Sequence, residues 1–380
     1  MPSSIVPNLK AFFAQHWQRK PLLIRQAIPD FRPLLNAHEL IELAGRDEVE
    51  SRLIQSSASR WRLEHGPFDP EQIPSLEKKR WTLLVQGVDL HLDDAHELLK
   101  QFRFIPDARL DDLMISLASD GGGVGPHFDS YDVFLLQAWG RREWRIGPLK
   151  DQSLRKNTPV KLLENFEPTE SFILEPGDML YVPPNWGHDG IALGPCMTYS
   201  IGFRAPSRRE FLQAFFNDCS DRVDEHTNPQ ELYADVGLRP ERNSAIIPLK
   251  LTQKLEQWAR SGAPSKDDIQ GFIGRFLSEP KDRVWFESPK RPLSIEKFFA
   301  KARVKGMRLH RASRLLFRIK NTGNGQVFFN GQSENFAGTS LAYASQLAEN
   351  RFFVAPPQLE RSEIGTYLYR AYTNGWIVLL

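Results

Sequence analysis

Short strand-like runs punctuated by Gly and Pro, a change to Phe-rich helices near residue 206, and a terminal helix–hairpin pattern together predict a mixed β and α chain. Its expected core is a double-stranded β-helix, a jelly roll of the cupin-like type, over residues 101–205. A helical region over 206–285 and a winged-helix-like module over 286–380 follow, and residues 1–100 read as an α/β extension of the barrel.

The elements can be justified in order. LKAFFAQHW is an amphipathic helix that ends before Lys20-Pro21, and Pro21 to Ile24 is a candidate strand. AHELIELAG is a second helix, stopped by Gly45. In DLHLDDAHELLKQF, Leu92, Ala95, Leu98, Leu99 and Phe102 recur at helical spacing, with Asp93 and Asp94 at the positive end of the dipole. In MISLASDGGGVGPHFDSYDVFLLQAW an apolar run meets the glycine bend Gly121, Gly122, Gly123 and Gly125, and then returns to a strand. Trp139-Gly140 is expected to break that strand, with Arg141 to Ile146 as the next one. Pro176-Gly177 is a turn, Met179 to Val182 a short strand, and Pro183-Pro184 its end.

Beyond the barrel, Ser207 to Glu210 reads as a capping box opening REFLQAFFNDCSDRV, with Phe211, Leu212, Phe215 and Phe216 as a broad apolar stripe. LKLTQKLEQWARSG is another helix, and SKDDIQGFIGRFLSE a third, capped by Ser265. Such helices form either a helical core or a dimer surface. Helices starting near Leu293 and Ala312 are expected before the VFFNG hairpin, with WIVLL closing the chain. The basic residues Lys301, Arg303, Lys305 and Arg308 read as a solvated face, and no direct nucleic-acid binding is expected.

Composition sets the class. The 380 residues are 41% hydrophobic and 25% charged, with a net charge of +2, which gives no global drive toward nucleic acid. There is no run of eighteen apolar residues and no signal-peptide core near the first residues, so a cytoplasmic protein with no membrane contact is expected. Cys196 and Cys219 are not expected to pair, and no zinc spacing is present.

The chemistry lies in His127-Phe128-Asp129 and in His188 within LEPGDMLYVPPNWGHDG. On a strand, residues i and i+2 share a face, so His127 and Asp129 would aim at one point. A second imidazole from a distant strand completes the 2-His-1-carboxylate facial triad of non-haem Fe(II) oxygenases, which leaves positions open for a cosubstrate and O₂. The other H-x-D, His91-Leu92-Asp93, falls at a helix start, where i and i+2 do not share a face. In the strand Arg141 to Ile146, Arg142 alternates in phase with Trp144 and Ile146 and therefore points inward. A buried guanidinium needs an anion. That anion is either an internal Asp or Glu or a carboxylate on a small cosubstrate, and beside the triad the cosubstrate is favoured.

The block from Met114 to Ile146, together with MLYVPPNWGHDGIAL, resembles the JmjC-type 2-oxoglutarate oxygenases, and GGGVGPHFDSYDVFLLQAWGRREWRIG is most similar to the bacterial ribosomal oxygenases. The resemblance implies His127, Asp129 and His188 as Fe(II) ligands and Arg142 as the residue gripping the far carboxylate of 2-oxoglutarate. Ser200, in MTYSIGF on the last barrel strand, is a further candidate donor to that carboxylate. The resemblance also implies a homodimer that hydroxylates an arginine side chain of the sixteenth protein of the large ribosomal subunit, consuming 2-oxoglutarate and O₂. A site for an arginine calls for acidic or aromatic groups at its mouth, and Asp120, Tyr131 and Asp132 flank the metal motif. Another JmjC activity, such as lysine demethylation, and a metal-binding cupin that is not an oxygenase are the alternatives. A non-enzymatic binding module fits less well, because all three ligands are present at suitable spacing.

Overall fold

The computed structural model describes residues 5–57, 60–226, 231–234, 247–281 and 283–380. The chain forms two compact units, Met1–Ala205 and Pro206–Leu380.

The first unit opens with helix α1 (Leu9–Gln15), capped by the Asn8 side chain, strand β1 (Leu22–Ile24) and helix α2 (Ala37–Ala44). In α2, Asn36 and Glu39 form a reciprocal capping box, and Gly45 ends the helix. Strands β2 (Ser51–Ser56), β3 (Trp61–His65) and β4 (Trp81–Val85) follow, then helix α3 (Asp93–Lys100). Strands β5 (Leu110–Ala118), β6 (Val133–Pro148), β7 (Glu170–Leu174), β8 (Met179–Val182) and β9 (Trp186–Phe203) complete the unit. These nine strands join one antiparallel sheet in the order β1-β8-β6-β9-β5-β4-β2-β3, with β7 pairing the second half of β6 on the edge whose first half takes β8. The N-terminal strands thus extend the barrel sheet itself.

Trp139-Gly140 does not end a strand, contrary to the sequence expectation. β6 runs unbroken for 16 residues, paired with β9 from Val133↔Gly202 to Pro148↔Trp186. The register slips at Gln137/Trp139 and again at Trp139/Arg141, where Gly140 takes a φ of +63°. A bulge therefore bends the strand and carries it around the roll, where a break would have released it.

Strand alternation sorts two apolar layers. Leu113, Ile115, Phe134, Leu136, Tyr181 and Tyr199 belong to a large core that also holds Phe12 of α1, Leu40 of α2 and Leu98 of α3. Val133, Leu135, Trp144, Ile146, Leu180 and Val182 form a separate cluster. The second set alternates with the first along β6 and β8, so it lies on the opposite face of the sheet.

The second unit holds helices α4 (Arg208–His226), α5 (Leu249–Ser261) and α6 (Lys266–Ser278). Ser207 and Glu210 form the expected capping box, as do Ser265 and Asp268. Phe211 and Phe215 of α4 pack against Phe272 of α6, whereas Phe216 is 64% exposed. Helix α7 (Ile295–Val304) precedes strand β10 (Met307–Leu309). The helix expected near Ala312 is absent: strands β11 (Leu315–Asn321), β12 (Asn324–Phe329) and β13 (Gln332–Ala337) make an antiparallel meander there. Pairing of LLFRIKN with VFF overrides its local ambiguity. The β12–β13 turn, Asn330-Gly331, has positive φ at both residues, as a two-residue hairpin requires. Helix α8 (Gly338–Asn350), strand β14 (Phe352–Phe353), helix α9 (Glu363–Thr373) and strand β15 (Ile377–Leu379) close the unit. Within the basic stretch, Arg303 is paired with Glu360 at 3.0 Å.

Phe12 ties the N-terminal layer to the sheet. It is 1% exposed and contacts the rings of Phe13, Trp17, Phe104, Phe134 and Tyr181. Phe12→Ala is expected to lower the unfolding free energy by about 3–5 kcal/mol. Urea titration checks this, and a loss below about 1 kcal/mol would mean the helix is only loosely docked.

Candidate metal centre

His127 and Asp129 do not lie on a regular strand. Residues 119–132 form an irregular connection between β5 and β6, and His127 meets the sheet through an isolated antiparallel bridge to His188. The His127 N–H donates to the His188 carbonyl at 3.0 Å, and the His188 N–H returns the bond at 2.8 Å. Glycine makes this approach possible. A Cβ on Gly123 would sit 2.3 Å from the Gly190 carbonyl oxygen of β9. Gly125 has a φ of +79°, and a Cβ there would lie 2.6 Å from Leu162 and 2.8 Å from Trp61. Directly opposed residues project to one face, and the two imidazole centroids are 4.2 Å apart.

His127, Asp129 and His188 each offer one ligand atom, and these atoms lie within 4.8 Å of one another. His188 Nε2 is 3.6 Å from Asp129 Oδ2. The outer nitrogens are fixed. His127 Nδ1 is 2.8 Å from the Gly125 carbonyl, and His188 Nδ1 is 3.3 Å from that of Trp186. A carbonyl only accepts, so each Nδ1 carries a proton, and Nε2 is the nitrogen left to face an ion. Burial pushes the His188 imidazole down to about 4, helped by His127 and opposed by Asp129, so the ring is neutral near pH 7. Two imidazoles and one carboxylate in a compact set suit a divalent first-row ion with open positions.

Arg142, Trp144 and Ile146 are all buried, as the alternation of β6 requires. Arg142 is 4% exposed, and its Nε and Nη2 have no hydrogen-bond partner. Its guanidinium carbon is 5.7 Å from the Trp144 ring, whose centroid is 5.8 Å from that of His188. A buried cation with two unused donors near the triad is what a missing carboxylate would leave behind. Ser200 is half-buried on β9, opposite Leu135 of β6. It therefore shares the face of Leu135 and its cluster.

The flanking residues divide. Asp120 is partly exposed, bound to Lys79 at 2.9 Å and to the Gly194 N–H at 2.9 Å. The Lys79 hydrogen bond, followed by that from Gly194, holds its carboxyl below the usual range. Tyr131 is 39% exposed. Burial of the remainder, then the Asp129 and Asp112 carboxylates, push its phenol up, so it stays neutral. Asp132 does not reach the mouth. It is 0% exposed and takes hydrogen bonds from Tyr181 Oη at 2.5 Å, Gln18 Nε2 at 3.1 Å and Arg109 Nη2 at 3.2 Å. Asp132 precedes the inward Val133, so its side chain turns to the layer of Tyr181 and α1. Its place is structural, and the substrate role expected from proximity in sequence is withdrawn. His91 and Asp93 stand at the start of α3, as expected.

Gly190 was not singled out by the sequence reading. A Cβ there would come within 2.7 Å of the Trp144 ring, while Gly123 presses on its carbonyl. Its only sequence signal was a glycine inside a strand, which marks a close approach of another group.

Replacing Arg142 separates its two possible partners. Among the described residues Arg142 makes no ion pair, although the partly buried Asp189 feels its charge, so Arg142→Met is expected to leave the unfolding free energy of cosubstrate-free protein unchanged or raised, by up to about 2 kcal/mol. Denaturant titration measures this, and a loss of about 3 kcal/mol or more would reveal an internal ion pair.

Comparison with known proteins agrees with this architecture. Residues 97–211 match the JmjC domain, and residues 253–377 match the ROXA-like winged helix. The chain is 34% identical over 302 residues to the ribosomal protein uL16 3-hydroxylase of Escherichia coli, covering 79% of each protein. It is 35% identical over 276 residues to a probable ribosomal oxygenase of Haemophilus influenzae, covering 72% of this chain and 63% of that one. The structure of YcfD, a ribosomal oxygenase from Escherichia coli, in complex with cobalt and 2-oxoglutarate has a TM-score of 0.79 at 30% identity, with 98% of each chain covered. Fold and sequence converge: this chain belongs to the JmjC ribosomal oxygenases that carry a ROXA-like winged helix.

Proposed function

We propose that this protein is an Fe(II)- and 2-oxoglutarate-dependent hydroxylase of an arginine side chain in ribosomal protein uL16, the sixteenth protein of the large subunit. One observation carries the reading: three ligand atoms within 4.8 Å stand near a buried arginine with two unpartnered donors. The uL16 hydroxylase name of the Escherichia coli relative supports the substrate. The cobalt and 2-oxoglutarate bound to its solved relative support the cofactor and cosubstrate.

His127, Asp129 and His188 would hold the metal, with Nδ1 of each imidazole locked onto a carbonyl so that Nε2 faces the ion. Arg142 would pair with the far carboxylate of 2-oxoglutarate, and Ser200 lies on a register that can add a hydroxyl donor. When bound, the metal and the 2-oxo acid supply the oxidising chemistry with O₂, and the protein contributes position and exclusion of water. Asp120 stays ionised in contact with Lys79 and Gly194, and with the exposed ring of Tyr131 it is the candidate group for a guanidinium at the mouth. Such a substrate points to action in the cytoplasm, and no helix among the described residues is long and apolar enough to cross a membrane. No direct nucleic-acid contact is invoked.

The reading includes a homodimer formed through the helical region. Helix α5 has no buried residue, and Leu249, Leu255 and Phe216 are 70%, 47% and 64% exposed. Exposed apolar surface on a 13-residue amphipathic helix with no buried residue is costly in a monomer.

Incubation of Fe(II)-loaded protein with 2-oxoglutarate and isolated large-subunit proteins is expected to add one oxygen mass to uL16, on an arginine, and to fail in His127→Ala. Turnover with oxygen placed on another residue or protein would overturn the substrate, and loss of a methyl group would indicate a demethylase. Leu255→Glu with Leu249→Glu is expected to shift the protein to monomer in sedimentation, and an unchanged dimer would place the interface elsewhere.

A further inference from the structure

Trp144 is, after Arg142, the second buried side chain on the inner face of β6 with a donor that no described residue satisfies. It is 4% exposed, and its indole Nε1 has no acceptor. Arg142, two residues earlier on the same strand and face, leaves Nε and Nη2 unused, with its guanidinium carbon 5.7 Å from the indole ring. Buried donors normally find a partner, and a Trp N–H in an apolar cluster of Val133, Leu135 and Leu180 is costly without one. The indole is closely seated: it fits only because Gly190 opposite has no Cβ, which would come within 2.7 Å of the ring. Packing against Gly190 involves the six-membered ring of the indole and makes no use of its N–H.

We propose that Trp144 is a second anchor for the dicarboxylate, its indole N–H donating to the same carboxylate that Arg142 pairs with. A carboxylate offers about four lone-pair sites, enough for a guanidinium fork and one further donor. The pair would select a 2-oxo acid ending in a second carboxylate over one ending in a methyl group. Trp144 is then a positioning residue that fixes the cosubstrate relative to the His188 side of the metal site, since its ring centroid is 5.8 Å from that imidazole. This rests on the reading of Arg142 given above.

The test uses full-length protein loaded with Zn(II), which is redox-silent and diamagnetic, and calorimetric titration with 2-oxoglutarate and with 2-oxopentanoate. The second acid has a methyl group in place of the far carboxylate. Trp144→Phe keeps an aromatic ring and removes the donor. It is expected to weaken 2-oxoglutarate about tenfold while leaving 2-oxopentanoate within about twofold. The retained 2-oxopentanoate binding also reports an intact pocket. Equal weakening of both acids would assign Trp144 to packing at the metal end, and no weakening of either would mean that water satisfies the N–H. Either result overturns the proposal. Independently, the indole ¹H–¹⁵N resonance missing from Trp144→Phe should move downfield in wild type with 2-oxoglutarate and not with 2-oxopentanoate. A resonance indifferent to 2-oxoglutarate overturns it as well. Arg142→Met separates the two levels. If wild type discriminates between the acids and Arg142→Met abolishes this while Trp144→Phe does not reduce it, only the role of Trp144 falls. If wild type binds both acids equally, the Arg142 reading and this proposal fall together.

Discussion

The two-way backbone bridge between His127 and His188 is the constraint on which the site depends. It closes a glycine-rich connection onto the first residues of β9 with two hydrogen bonds. Everything about the ligand set follows from it. Opposed residues share a face, so two imidazoles some sixty positions apart in sequence meet at 4.2 Å. Asp129 then arrives two residues along the same extended segment, 3.6 Å from His188 Nε2. The bridge holds because no side chain intervenes: Gly123 lies on Gly190, and Gly190 lies on Trp144. Those glycines serve contact between backbones more than flexibility.

Around that bridge the sheet separates structural from chemical work by face. One face belongs to the large core shared with α1, α2 and α3, and there a buried carboxylate is held by partners from its own chain. Asp132 shows it, with Tyr181, Gln18 and Arg109 all donating to one buried carboxylate. The other face carries His188, Arg142 and Trp144, and there donors are left without partners. An unsatisfied buried polar group is destabilising, and donors left so beside a ligand cluster suit something that the site binds. The same strand, β6, contributes to both faces, and the bulge at Trp139-Gly140 keeps its two halves in one continuous ladder while bending it.

The sequence by itself determined the barrel, the two N-terminal helices, the helical caps at Ser207 and Ser265 and the inward set Arg142, Trp144 and Ile146. Each is a local matter of period or of capping chemistry, which the chain carries in neighbouring residues. It also pointed to His127, Asp129 and His188, because a resemblance to a family attaches meaning to a short motif that spacing alone leaves weak. Only the tertiary structure decided that His127 and Asp129 sit on a bridged loop, that Trp139-Gly140 bends a strand without ending it, and that LLFRIKN pairs as a strand. It alone turned Asp132 away from the mouth into a buried hydrogen-bond network and left donors of Arg142 and Trp144 without an acceptor among the described residues. The physical reason is common to all of these. Side-chain direction on an irregular segment, and the presence or absence of a partner for a buried donor, depend on residues far away in sequence that only the folded sheet brings within hydrogen-bond distance.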